Sequence, residues 1–261
     1  MDAETAYLFG DTELAAQRLC LLAAVFEPST RAFLQEVVYR PPCRVVDLGC
    51  GPGYSTELLA RTLSPHETFG LDRSPRFVAS ARQCATRAIQ FHVHDVTSLP
   101  LPVLPSDVMY CRFLLSHLRN PQQVIKGWMG QLQDGGLLLV EETSEIHVSN
   151  PTFRRYLDIV DRFLRAQGSE LYAGRLVEAI DAGVGSIKRA SRLARVRPSN
   201  RDTARLFLWN LQGWREQPFV KANYSCAEID RLEAELREMT CRTSAEFETE
   251  FVIRQVAFER E

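Results

Sequence analysis

The chain has 261 residues, with 31 Lys and Arg against 33 Asp and Glu, a formal net charge of −2, 45% hydrophobic and 25% charged residues. These proportions exclude a disordered chain, and the near-neutral balance lacks the basic footprint that general nucleic-acid binding needs. The longest apolar run, residues 19–26, falls far short of the roughly 20 residues of a membrane-spanning helix, and the acidic start Met1-Asp2-Ala3-Glu4 lacks a signal peptide's basic region. The expectation is a cytoplasmic protein with neither a nucleic-acid nor a membrane partner.

Residues 1–40 read as helices that cap a sheet. Strand candidates then come at 44–48, 68–71, 89–94, 107–111 and 137–141, each short and almost wholly apolar, as parallel strands covered on both faces are. Helices separate them. Ser74-Pro75, Asn120-Pro121 and Asn150-Pro151 each set a capping side chain before a proline suited to a first helical turn. Gly135-Gly136 is expected to stop a helix over 121–133. Strand and helix in this rhythm predict a doubly wound, mostly parallel α/β sheet with a Rossmann-like arrangement.

From 143 onward the chain reads as a mainly helical cover over 151–182 and 199–247, with a capping-box pattern from Ser225 to Glu228. Strand candidates at 187–196 and 251–258 complete a seven-stranded sheet. The whole is expected to be one domain over 1–261, with 1–40 as cap, 41–142 as core and 143–261 as cover plus the last two strands. Residues 188–205 carry seven basic side chains against one acid, and 228–250 carry eight acids against three bases. Mutual pairing or solvated faces are the expectation for both, with an acidic-substrate site beside the basic stretch as the alternative. Seven scattered cysteines, none at zinc-finger spacing, predict buried or neutral thiols and no metal.

The chemistry gathers where the first strand ends, in Val45-Val46-Asp47-Leu48-Gly49-Cys50-Gly51-Pro52-Gly53. Glycines at 49, 51 and 53 let the backbone turn sharply and approach a ligand closely. The spacing departs from the dinucleotide fingerprint, because the third glycine comes one residue early and Pro52 removes a phosphate-binding N–H. Acids close the other strands too: Asp72, Asp95 and the pair Glu141-Glu142. Carboxylates converging from four strand ends at one edge of a parallel sheet repel a pyrophosphate. They favour a ligand with ribose hydroxyls, a cationic group and no phosphate.

S-adenosylmethionine has that profile, and here the sequence resembles the class I S-adenosylmethionine-dependent methyltransferases that act on small molecules. The segment 46–53 is similar to their first motif. The resemblance implies that Asp47, Gly49, Cys50, Gly51 and Gly53 shape the cofactor site, with Cys50 chosen for its small size. It implies that Asp72, with Arg73 beside it, meets the ribose hydroxyls, and that His94-Asp95-Val96 holds the adenine. Cys111-Arg112-Phe113 to His117, then Gly135-Gly136-Leu137, are similar to the fourth motif and fifth strand. Tyr7-Leu8-Phe9 and Glu13 to Arg18-Leu19 resemble a closing N-terminal helix. Arg18 there either bonds the methionine carboxylate or packs its helix, and Tyr7 either meets substrate or packs.

The implied reaction moves a methyl group to an oxygen or nitrogen atom of a small-molecule acceptor, leaving S-adenosylhomocysteine. A cyclase or rearrangement enzyme that binds the same cofactor, and a non-catalytic cofactor-binding partner, are the alternatives. A proton must leave an oxygen or nitrogen acceptor, so a base is needed. His117 is the first candidate, against a packed reading, with Glu142, Glu141 and Glu145 in reserve. Among the cover's aromatics, Tyr156, Trp209 and Trp214 are the expected acceptor contacts, against the reading of a helix–helix core. A monomer or homodimer is expected.

Overall fold

The computed structural model describes residues 12–103, 105–242 and 246–261. Seven strands form one sheet in the order β3-β2-β1-β4-β5-β7-β6. They are β1 Arg44–Leu48, β2 Glu67–Asp72, β3 Ile89–Val93, β4 Ser106–Arg112, β5 Leu132–Val148, β6 Ser186–Val196 and β7 Thr249–Arg260. β1 pairs in parallel with both β2 and β4, β4 with β5, and β2 with β3, whereas β7 runs antiparallel between β5 and β6. The strand order reverses between β1 and β4, and ligands of open α/β sheets bind at the carboxyl ends beside such a reversal.

Side chains alternate across the sheet, so each strand feeds two cores. Val46, Leu48, Met109, Cys111, Leu138 and Val140 face one cluster, completed by Trp128 and Ile125 of α4 (Pro121–Met129). Val45, Val108, Tyr110 and Leu139 face the other, against Phe33 and Leu34 of α1 (Glu13–Val37) and Leu59 of α2 (Tyr54–Leu63). α3 (Pro75–Ala81) begins at Ser74, whose side chain accepts from Phe77 N as expected. The cover is a third cluster built from α5 (Pro151–Ala166), α7 (Asn200–Trp214) and α9 (Cys226–Cys241) around Phe153, Phe163, Phe207 and Leu232. The short helix α8 (Pro218–Asn223) adds Val220 to it, whereas α6 (Gly174–Ala179) packs Val177 into the first cluster, and Ser225 and Glu228 form the expected capping box on α9.

Several sequence expectations need correction. α4 stops at Met129, with Gly130 as its cap, and Gly135 sits inside β5 at φ 75°. There it accompanies the irregular pairing of β4 with β5, in which Leu132 opposes Ser106 but Leu137 opposes Val108. Asn120 makes no side-chain cap bond, while Asn150 accepts from Thr152 N and Phe153 N. β5 continues to Val148, past its acids, because β7 pairs along it as far as Thr249. All seven cysteines are free, Cys50 and Cys111 buried and the other five exposed. The basic stretch of β6 is paired, Arg189 with Glu259, Arg192 with Glu36, and both Arg195 and Arg197 with Glu250. No group of metal-ligating side chains occurs among the described residues.

Candidate active site

The turn after β1 is held by backbone bonds: Gly49 N and Cys50 N both donate to Leu71 O, at 2.8 and 3.0 Å. Gly49, Gly51 and Gly53 all have positive φ, of 74°, 53° and 94°. Gly53 has a second reason to be glycine, since a Cβ there would lie 2.9 Å from the Phe91 ring. Cys50 is buried, and its Sγ would be 2.9 Å from a Cβ at Gly70, so bulk is limited on both sides. Burial also holds its thiol protonated.

Asp47 lies beneath this turn, 1% exposed, and does not line the cavity above it. Its Oδ2 accepts from Ser55 Oγ and Thr56 Oγ1, each at 2.6 Å, which ties the strand end to the first turn of α2. Burial pushes its carboxyl up to about 6, against the pull of those two hydroxyls. Asp72 does line the cavity. Its Oδ2 accepts from Gly51 N at 2.9 Å and its Oδ1 from Ser74 N at 2.8 Å, so the two loops meet on one carboxylate. Asp95 is exposed on the cavity edge, with Oδ1 accepting from Thr97 N and Thr97 Oγ1. Val96 is buried beside it, and its carbonyl accepts from Trp128 Nε1 at 2.8 Å. Arg73 and Arg112 also line the cavity, Arg112 donating through Nη1 to Thr30 Oγ1 of α1 at 3.1 Å.

Beyond β4 the backbone turns at Phe113, a non-glycine residue at φ 54° whose N–H donates to Glu141 O. A bulky side chain in the left-handed region is strained, and such strain is found most often at functional sites. The Phe113 ring meets Phe26 of α1 edge-on at 5.1 Å, closing the cavity roof. The 3-10 turn after it, Leu115–His117, places His117 on the cavity wall. Burial lowers its imidazole to about 4, helped by the positive fields of Arg18 and Arg73. His117 is therefore neutral at pH 7.

Of the three reserve acids, only Glu142 reaches the cavity. It is 2% exposed, Leu115 N donates to its Oε1 at 2.6 Å, and burial raises it to about 8, so it carries its proton at neutral pH. Glu141 is spent inside the fold, accepting from Thr30, Tyr110 and Gln255. Glu145 pairs with His147 at 3.0 Å and Arg175 at 3.6 Å.

The cavity has a volume of about 1110 Å³ and runs from the glycine turn into the cover. Tyr156 is there as expected, 2% exposed and stacked on Phe207 at 4.1 Å. Trp209 and Trp214 are not. Trp214 is fully buried behind Tyr156 and stacked on Phe163, and Trp209 is half-buried away from the cavity. Tyr7 lies outside the described residues. Arg18 is on the cavity wall, 6% exposed, in α1. Asn210 of α7, which sequence reasoning passed over, also lines it.

Residues 46–140 match a family described as a methyltransferase domain. Among curated proteins, the chain is similar to trans-aconitate 2-methyltransferase of Methylobacterium nodulans, 33% identical over 146 residues, which are 56% of this chain and 52% of that protein. The enzyme of the same name from Variovorax paradoxus is 35% identical over 111 residues, 41% of this chain and 42% of that one. The chain thus matches about half the length of these relatives or less. A methyltransferase described as putative from Bacillus halodurans shares the fold at a TM-score of 0.59, with 14% identity over 88% of this chain and 98% of that one. Coclaurine N-methyltransferase, in a complex with S-adenosylhomocysteine, does so at 0.55, with 15% identity over 90% and 72%. A 4+2 cyclase shares it at 0.54, with 18% identity over 90% and 81%. With the glycine turn, the strand-end carboxylates and this sheet order, the chain has the fold of these methyltransferases, and its residues 46–140 are similar to a methyltransferase domain.

Proposed function

We propose that the chain transfers a methyl group from S-adenosylmethionine to an oxygen or nitrogen atom of a small-molecule acceptor. The observation that carries this reading is one continuous cavity with two different ends. Its 1110 Å³ exceeds the roughly 300–1,000 Å³ that a single small ligand fills, which leaves room for a cofactor and an acceptor together. One end is backbone and carboxylate, from Gly49, Gly51, Asp72 and Asp95; the other is apolar, from Leu157, Val160, Leu206 and Phe207. His117 lines the same cavity, within the fields of Arg18 and Arg73.

The residues fit the cofactor. The carboxylate of Asp72 suits two vicinal hydroxyls, since it lines the cavity and the N–H groups of Gly51 and Ser74 fix its two oxygens in place. Asp95, with one oxygen held by Thr97, offers the other to an amino group, and Val96 supplies an apolar flank for an adenine. Gly49, Cys50, Gly51 and Gly53 keep the turn free of bulk, while Asp47 braces it from below through Ser55 and Thr56. Arg73 and Arg112 flank the same end. When bound, S-adenosylmethionine supplies a methyl group on a sulfonium that is already electrophilic. The chain's work is then alignment and proton handling. Neutral His117 accepts the proton of an O–H or N–H acceptor, and Glu142, protonated, serves by holding the turn that carries His117.

Trans-aconitate names the acceptor of the curated relatives; the apolar end here favours a more lipophilic molecule. No described helix is long and apolar enough to cross a membrane, and we read the protein as a cytoplasmic biosynthetic enzyme of one domain, working as a monomer or homodimer. Incubation with S-adenosylmethionine and a panel of lipophilic alcohols, amines and acids, followed by mass spectrometry, tests the reaction. S-adenosylhomocysteine together with an acceptor heavier by one methylene unit supports it. A bound but unconsumed cofactor across the panel, with an acceptor rearranged at constant mass, would favour a cyclase instead.

A further inference from the structure

Resting on that reading, we infer that Arg112 anchors the carboxylate of the cofactor's methionine moiety, and that Thr30 of α1 is the residue that positions Arg112 for it. The order of the strands says where that carboxylate lies. Asp95 follows β3, Asp72 ends β2 and Gly49 follows β1. An adenine at Asp95 and a ribose at Asp72 therefore send the amino-acid end of the molecule toward β1 and β4. Asp47 pairs in register with Tyr110, which sets Arg112, at the end of β4, across the strand-order reversal from Gly49. Leu114, just beyond, packs so closely on Gly49 that a Cβ there would lie 3.0 Å from it. Arg112 lines the cavity together with Gly49, Cys50 and Asp72.

The orientation of Arg112 is built from behind. Alternation along β4 turns Arg112 and Tyr110 to the same face of the sheet, toward α1. There Arg112 Nη1 donates to Thr30 Oγ1 at 3.1 Å, and Thr30 Oγ1 donates in turn to Glu141 Oε2 at 2.7 Å. A hydroxyl has a single proton to give. Glu141, which also accepts from Tyr110 Oη at 2.5 Å and from Gln255 Nε2, takes that proton and leaves Thr30 only lone pairs for Arg112. Thr30 and Glu141 are each 1% exposed and neither lines the cavity, so they act on a ligand only through the guanidinium.

A guanidinium carries more N–H groups than this one bond uses. The carboxylates nearest Arg112 are engaged elsewhere, Asp47 with Ser55 and Thr56 and Glu141 behind Thr30. A fixed cation at the wall of a cavity is matched in charge and in geometry by a carboxylate, and the methionine moiety brings one. The family resemblance puts Arg18 forward for this carboxylate; the register of β4 against β1 puts forward Arg112.

The test is calorimetric titration of two ligands, S-adenosylhomocysteine and its decarboxylated analogue, into the wild-type protein and three variants. The wild type should bind S-adenosylhomocysteine about tenfold or more tightly than the analogue, as one charge-assisted contact provides. Arg112→Gln should abolish that preference, weakening S-adenosylhomocysteine about tenfold while the analogue changes by less than about twofold. Thr30→Val should cut the preference at least about threefold, and Thr30→Ser, which keeps the hydroxyl, should restore it. A Thr30 that merely packs would be replaced by the isosteric valine without effect, or would move both ligands alike. Arg112→Gln carries the test by itself if circular dichroism shows Thr30→Val unfolded. Equal binding of the two ligands by the wild type, an Arg112→Gln that weakens both alike or neither, or a folded Thr30→Val with the full wild-type preference would each overturn the inference and leave the methyltransferase reading standing. Binding of neither ligand by the wild type would overturn that reading, and the inference with it.

Discussion

Glu142 Oε1 accepts the Leu115 amide at 2.6 Å, and this bond ties the end of β5 to the 3-10 turn that presents His117. A carboxyl group so deeply buried keeps its proton up to about pH 8. In the unfolded chain it ionises near its ordinary value, so between these two values the folded state holds one more proton. The stabilisation from the protonated group is complete below the unfolded value and is lost as pH rises through about 8. Glu142→Gln keeps an oxygen for Leu115 and cannot ionise. Thermal melts should therefore show the variant gaining on the wild type as pH rises from 5 to 9. A difference that does not change with pH would contradict the buried, protonated assignment.

His117 titrates in the opposite sense. Its folded value near 4 lies below that of the unfolded chain, so its contribution to stability is present above the unfolded value and is lost as pH falls through about 4. For catalysis this means an imidazole ready to accept a proton throughout the neutral range. His117→Ala should lower kcat by roughly 10²–10⁴ with cofactor affinity preserved. The acidic limb of the wild-type pH–rate profile should fall near 4 and be absent from the variant. An unchanged kcat would remove His117 from proton transfer and leave alignment as its surroundings' contribution.

Trp214 and Trp209 separate stability from selectivity. Trp214 is wholly buried against Phe163 and Tyr156, so Trp214→Ala should cost about 3–5 kcal/mol in denaturant unfolding, as truncation of a large core side chain does. Trp209 is half-buried and away from the cavity, and Trp209→Ala should leave acceptor kinetics at wild-type values. A change in acceptor KM for Trp209→Ala would show that the cover closes further over the acceptor and brings Trp209 to it.

The contrast between these tryptophans shows what sequence can and cannot carry. β1 was legible to the residue at 44–48, because an apolar run followed by Gly-x-Gly-x-Gly leaves one arrangement, and Asp72 and Asp95 followed from their places at strand ends. Helical spacing identified an apolar face in α7, but it could not say which aromatics meet the cavity and which meet α5 and α9. Asn210 was passed over since one amide amid Leu, Trp and Gln reads as surface; only the packing of α1 on α7 places it at the wall. Gly135-Gly136 reads locally as a helix stop, yet it falls in β5, where pairing with β4 outweighs local punctuation. Asp47 read as a cavity carboxylate, while its partners Ser55 and Thr56, eight and nine residues on, were visible but unweighted.

The central claim is that the glycine turn and Asp72 form a site for S-adenosylmethionine. Its most direct test is calorimetric titration of S-adenosylhomocysteine into the wild-type protein and Asp72→Ala. The wild type should bind one equivalent, and the variant should bind at least about tenfold more weakly, because two hydroxyls lose a charged acceptor worth about 1.5–3 kcal/mol per bond. Circular dichroism should show the variant folded, since Gly51 N and Ser74 N lie at the cavity edge where water can replace the carboxylate. Absence of binding to the wild type, or equal affinity in a folded Asp72→Ala, would contradict the claim.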